Sequence, residues 1–205
     1  MMDLIAAERL ALADVLDGLG ADQWQAQSLC ARWTVAHVVA HLTMPFRITE
    51  QEFAAGMERA GGQFSEFSDA MADRDSQLPQ AELVAALRDN AENPWSPPGG
   101  GQRGALSHDV IHGLDIAWPL SIEYPIPAEA MVAVLDLACG QGGRSLFGVD
   151  TDGLKLTATD LDWSSGAGAP LAGRGRDLLL LAAGRQIPSG VFSGPGVQRL
   201  VSAAR

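Results

Sequence analysis

Apolar residues recur along the first 140 positions with helical spacing. Between residues 2 and 19, Leu4, Leu10, Leu12, Val15, Leu16 and Leu19 stand among Ala, Asp and Glu, with Gly18 and Gly20 at the end. The pattern predicts an amphipathic helix with a glycine stop. A connector passes through Trp24 and Cys30 to Arg32. Thr34 is a good N-cap for a second helix, expected to run to about Gly56 or Gly61 with a bend at Pro45. Residues 61–78 are polar and read as irregular. Pro79 opens a third helix through Leu83, Val84 and Leu87, which must stop before Asn93-Pro94. After the loop PWSPPGGG, a fourth helix is expected from about Gln102 to Trp118. Pro127 starts a fifth, which stops at the glycines 140–143.

The texture then changes. Leu154, Leu156 and Ala158 alternate with Lys155, Thr157 and Thr159, the period of a strand. Gly, Ser and Pro dominate residues 164–175, and Asp177 to Ala183 reads as a short helix closed by Gly184. The expected organisation is a helical domain over residues 1–148 and a small α+β region over residues 149–205, with the boundary near Gly148–Gly153.

Residues 133–150, AVLDLACGQGGRSLFGVD, imitate the strand and glycine loop of a Rossmann-type methyltransferase. The imitation fails on two counts. Asp150 follows Gly140 by too few residues for an intervening helix, and PAEAMVAVLDLA has a proline start and helical spacing. A helix with a glycine cap accounts for the segment.

Composition narrows the function classes. Hydrophobic residues make up 47% of the 205, enough for a real core. The net charge of −11 repels phosphate backbones and anionic lipid, which argues against nucleic-acid and membrane partners. No run of ~18 uncharged apolar residues is present, so no membrane span is expected. The N-terminus carries Asp3 and Glu8 where a signal peptide would be uncharged, and Cys30 and Cys139 are too few for a disulfide scaffold. These features predict a cytoplasmic protein.

The candidate chemistry lies in four histidines. His37 and His41 form one i, i+4 pair, and His108 and His112 another. That spacing places both imidazoles of a pair on one face of a helix. It suits a metal site, and it also suits an ordinary polar helix face. On a helical wheel His41 flanks the face formed by Val35, Val38, Val39, Leu42 and Phe46, whereas His37 lies nearly opposite. His108, His112 and Asp115 share the polar face of the fourth helix, where Asp115 could accept the proton of a non-ligating imidazole nitrogen. Trp33 reads as a hydrophobic staple or a bundle-end plug, and Trp95, Trp118 and Trp163 as packing residues. Cys30 reads as a small buried hydrophobe, and Asp69, Asp73 and Asp75 as a solvated acidic cluster.

The segments CARWTVAHVVAHL (30–42), HDVIHGLDIA (108–117) and LTATDLDWSSGAGAPLAGRGRDLLLLAAGR (156–185) resemble, in order, the signatures of the mycothiol-dependent maleylpyruvate isomerase family of the DinB-like superfamily. The resemblance implies a mainly α fold, a DinB-like four-helix bundle followed by a small α+β C-terminal region. It implies a divalent metal, zinc or nickel, on His41, His108 and His112. The isomerase carries Glu where this chain has His108, so the set here is closer to the three histidines of other DinB-like proteins. Arg185, in the matching LAAGR stretch, is either the family's C-terminal arginine or a helix-end residue favoured by the dipole. The implied function is a metal-dependent transferase or isomerase that uses a mycothiol-type thiol on a small electrophilic substrate. The alternative is a non-catalytic metal-binding or ligand-sensing module. The expected partners are therefore small molecules, and a homodimer is left open.

Overall fold

The computed structural model describes residues 1–140, 147 and 151–203. Contacts divide the chain into two units, Met1–Pro125 and Ile126–Arg205. The expected boundary at 148/149 falls among residues outside those described. By contact the helix after Pro127 belongs with the second unit.

In the first unit, α1 (Met2–Asp17), α3 (Val35–Arg47), α6 (Gln80–Asp89) and α7 (Gly101–Ala117) form the bundle, with α1 and α3 each packed against both α6 and α7. A single turn, α2 (Ala21–Trp24), buries Trp24. The second helix is not merely bent. Pro45 lies inside α3, which stops at Ile48, and a new helix α4 (Glu50–Arg59) begins. The break has a local cause: Thr49 and Glu52 form a reciprocal capping box, which starts a helix afresh. The stretch 61–78, expected to be irregular, contains α5 (Phe64–Asp75). It packs on α3 through Phe67 and Met71 against Met44. The aspartates there are not simply solvated. Asp75 is buried and bound by Arg47 and Arg74, and Asp69 accepts from the Trp33 indole N–H at 2.9 Å.

Charge is also buried inside the bundle. The α1 stripe that contains Ile5, Leu12 and Leu16 includes Glu8 and Arg9, both fully buried. Arg9 donates from Nε to Asp109 of α7 at 2.8 Å and from Nη1 to the carbonyls of Asn90 and Asn93, which follow α6. It thereby pins α1 to α7 and satisfies carbonyls that a helix end leaves open. Glu8 accepts from the Tyr124 hydroxyl at 2.6 Å. The Tyr124 ring lies against Gly113, where an added Cβ would come within 2.5 Å of it.

Burial pushes the Glu8 carboxyl from 4.5 up to about 7; the Tyr124 hydrogen bond opposes the rise and Asp109 adds to it. Below pH 4.5 the group is neutral in both the folded and the unfolded chain. From there to about pH 7 the folded chain keeps a proton that the unfolded chain releases. This group's contribution to stability therefore falls as pH rises, and the loss is complete above its folded pKa. A shift of this size corresponds to about 3 kcal/mol. Glu8→Gln is thus expected to gain on the wild type between about pH 5 and pH 8 in urea unfolding. A stability difference that stays flat with pH would contradict it.

The second unit contains α8 (Ala128–Cys139), which includes the start of the methyltransferase-like segment and is helical as expected; Gly140 is its C-cap, and Gly142 and Gly143 lie outside the described residues. β1 (Leu154–Ala158) alternates buried and exposed along the predicted period. Residues 164–175, read only as Gly/Ser/Pro-rich, supply β2 (Ser164–Gly166) and β3 (Ala169–Gly173). The sheet order is β2-β1-β3, with β1–β2 antiparallel and β1–β3 parallel. α9 (Gly175–Ala182) packs on α8, the Trp163 indole donates to Asp136 at 2.8 Å, and α10 (Val197–Ala203) closes the described chain. Among the described residues no helix is long and apolar enough to cross a membrane.

Candidate metal centre

The site is built within the first unit, from α3, α5, α7 and the connector before α3. That connector is a tight loop. Gln27 and Thr34 form an isolated bridge, and Gln27 Nε2 donates to the carbonyls of Cys30 and Trp33 at 2.8 and 2.9 Å. The Leu29 N–H donates to the Asp115 carbonyl, which ties the loop to α7. Thr34 is the N-cap residue of α3, but its hydroxyl pairs with His37 Nδ1 at 2.7 Å instead of capping the backbone.

His41, His108 and His112 come together, with every pair of ring centroids 5.0 Å apart. Each Nδ1 has its own polar partner. His41 pairs with Ser68 Oγ at 2.9 Å, His108 with Asp109 Oδ1 at 3.1 Å and His112 with Asp115 Oδ2 at 2.9 Å. The two carboxylates hold their imidazoles with the proton on Nδ1, which leaves Nε2 as a bare acceptor. The Nε2 atoms of His41 and His108 then face one another at 3.1 Å. That separation suits a cation between the two nitrogens, and without one it suits an Nε2–H of His41 donated to His108 while the Ser68 hydroxyl donates to His41 Nδ1. Metal–nitrogen bonds of ~2.0–2.1 Å in a tetrahedron put neighbouring nitrogens about 3.3 Å apart, close to this separation. The residues present therefore fit a divalent ion, and one ligand atom from each histidine lies within 4.8 Å of the others.

The electrostatics agree with the geometry. His41 is buried and its pKa lies well below the usual imidazole range, first through loss of solvation and then through repulsion by His112 and His108. It stays neutral, which is the form that ligates metal.

Residues 5–93 match the mycothiol maleylpyruvate isomerase N-terminal domain family. The fold of the whole chain agrees with that match. A crystal structure of the mycothiol-dependent maleylpyruvate isomerase superposes with a TM-score of 0.56 at 16% identity, covering 95% of this chain and 91% of that one. A histidine-to-alanine mutant of the same enzyme superposes with the same TM-score at 17% identity and the same coverage. No curated protein sequence matches the chain.

Within this maleylpyruvate isomerase-like fold, several site residues escaped the sequence reading. Asp115 is where the helical wheel put it, but Asp109 and Ser68 were not anticipated. Trp33 does more than plug the bundle end. Its ring lies 4.9 Å from His41, and Trp95 lies 5.4 Å from His108, so two indoles flank the histidines. Cys30 is not just a small hydrophobe, since its thiol donates to Asp115 Oδ2 at 3.1 Å. Arg185 donates to the Ala183 carbonyl just beyond α9.

His37 stands apart from the three. Its Nε2 faces Asp73 at 3.4 Å and Ser76 at 3.5 Å, which links the start of α3 to the end of α5. His37→Ala is accordingly expected to leave metal content unchanged, whereas His41→Ala lowers it. Equal loss in both variants, read by elemental analysis, would contradict this placement.

Proposed function

We propose that His41, His108 and His112 hold one zinc or nickel ion and that the protein is a thiol-dependent transferase or isomerase acting on a small electrophile. A mycothiol-type thiol would be the cosubstrate. One observation carries the reading: Ser68, Asp109 and Asp115 hold the three Nδ1 atoms, which leaves the Nε2 atoms for an ion, and one ligand atom of each histidine lies within 4.8 Å of the others. A bound ion supplies Lewis acidity, which lowers the pKa of a thiol or polarises a carbonyl. The chain's own residues prepare that chemistry. Asp109 and Asp115 fix tautomer and ring orientation and make their imidazoles better donors. Three neutral histidines leave the centre positively charged, which favours a thiolate beside it. Trp33 and Trp95 restrict water around it and offer apolar walls to a substrate. The fold shared with the mycothiol-dependent maleylpyruvate isomerase supports the choice of thiol.

The test is addition of mycothiol to maleylpyruvate or a generic unsaturated ketone, with the full chain loaded with zinc or nickel. The loaded protein should accelerate thiol addition or isomerisation well above metal-free protein and above His112→Ala. Tight metal binding without acceleration of either reaction would remove the catalytic reading and leave the metal centre standing.

A further inference from the structure

The Nδ1 edge of the His112 ring faces a second set of donors. Cys30 Sγ lies 3.1 Å from Asp115 Oδ2 and 3.9 Å from His112 Nδ1, and those two are 2.9 Å apart. Tetrahedral coordination with bonds of ~2.0 Å to nitrogen and oxygen and ~2.3 Å to sulfur sets edges of about 3.3–3.5 Å, which these separations bracket. We propose that Cys30 Sγ, Asp115 Oδ2 and His112 Nδ1 form a second cation position, which takes a thiophilic divalent ion.

The chemistry of this position differs from that of the three histidines. Binding replaces the S–H proton of Cys30, so the ion meets a thiolate and a carboxylate, whose two negative charges match its own. Asp115 is fully buried, where a charge-matched complex avoids the cost of an isolated charge. The thiolate selects softer ions over magnesium or calcium. Cys30 and His112 are only half-buried, which leaves a route from solvent. A neutral imidazole has one lone pair. When Nδ1 binds an ion its proton sits on Nε2, which can no longer serve the three-histidine site. The two positions therefore exclude one another, and a thiophilic ion at Cys30 withdraws His112 from the first. That inhibitory consequence rests on the metal centre proposed above; the second position itself does not.

Cadmium(II) is a suitable probe, because a thiolate–cadmium bond gives a charge-transfer band in the ultraviolet. In the full chain carrying Cys139→Ser, the band should rise to saturation at about one cadmium per chain. It should vanish in Cys30→Ser and Cys30→Ala and persist in His41→Ala, which breaks only the three-histidine set. Asp115→Asn and His112→Ala should each weaken cadmium binding by roughly 10-fold or more. A band that survives Cys30→Ser, or no band at all, would overturn the proposal. So would affinity unaffected by both Asp115→Asn and His112→Ala, which would mean capture by a thiol alone. Zinc content of Cys30→Ser tests the three-histidine centre separately, so the failure of either site can be told from failure of the other.

Discussion

Replacing His112 with alanine is expected to weaken binding of zinc or nickel by more than ~100-fold, beyond the usual effect of removing an outer partner of a ligand. The reason is geometric. α7 presents His108 and His112 one turn apart, and α3 brings His41 against them, with Nε2 of His41 and His108 at 3.1 Å. Two imidazoles alone leave the ion to be completed by water, which competes poorly with a third fixed nitrogen. Asp115→Asn keeps all three ligands and removes the charge that holds His112 Nδ1 at 2.9 Å, so a smaller loss of roughly 10–100-fold is expected. Competition with a chelator of known affinity measures both. Equal affinities for wild type and His112→Ala would place the ion elsewhere.

Replacing Arg9 with methionine is expected to destabilise the first unit by about 3–5 kcal/mol, the usual cost of breaking a buried ion pair from one side. Arg9 and Asp109 have side chains only 1% and 4% exposed, so water cannot take over from the lost partner. The variant also leaves the Asn90 and Asn93 carbonyls without the guanidinium, and each buried unpaired group adds its own desolvation penalty. Because Asp109 also pairs with His108 Nδ1, the damage reaches the metal centre through a side chain that touches no ligand atom. Urea unfolding of the metal-free protein reads the effect without contribution from bound ion. A loss under about 1 kcal/mol would mean that the pair is solvated in solution.

Much of the bundle was legible because α1, α3 and α6 have an apolar face and a recognisable start or stop, and because α7, buried nearly all round, is bounded by the PWSPPGGG loop and Pro119. α5 was hidden because Phe64, Phe67 and Met71 are diluted among Ser, Asp and Glu, although their spacing is helical. The restart at α4 did have a sequence signal, the Thr49-to-Glu52 capping box, which the longer apolar run before it masked. β3 contains Pro170 and Gly173, poor strand formers that the edge of a small sheet tolerates.

The three histidines were legible through spacing and resemblance. Two of their supports were not. Ser68 lies on the helix that was missed, and its contact with His41 depends on tertiary packing. The signal for Asp109 lies outside α7, in α1. Glu8 and Arg9 interrupt the α1 apolar stripe, and Asp109 is buried on α7. Charged residues inside apolar stripes of two helices point to a buried pair between them.

The most direct test of the central claim is X-ray absorption at the zinc edge on the full chain loaded with one equivalent of zinc. The account predicts a first shell containing three imidazole nitrogens at ~2.0–2.1 Å and no sulfur. No retained zinc, fewer than three imidazoles, or sulfur in the shell would contradict it.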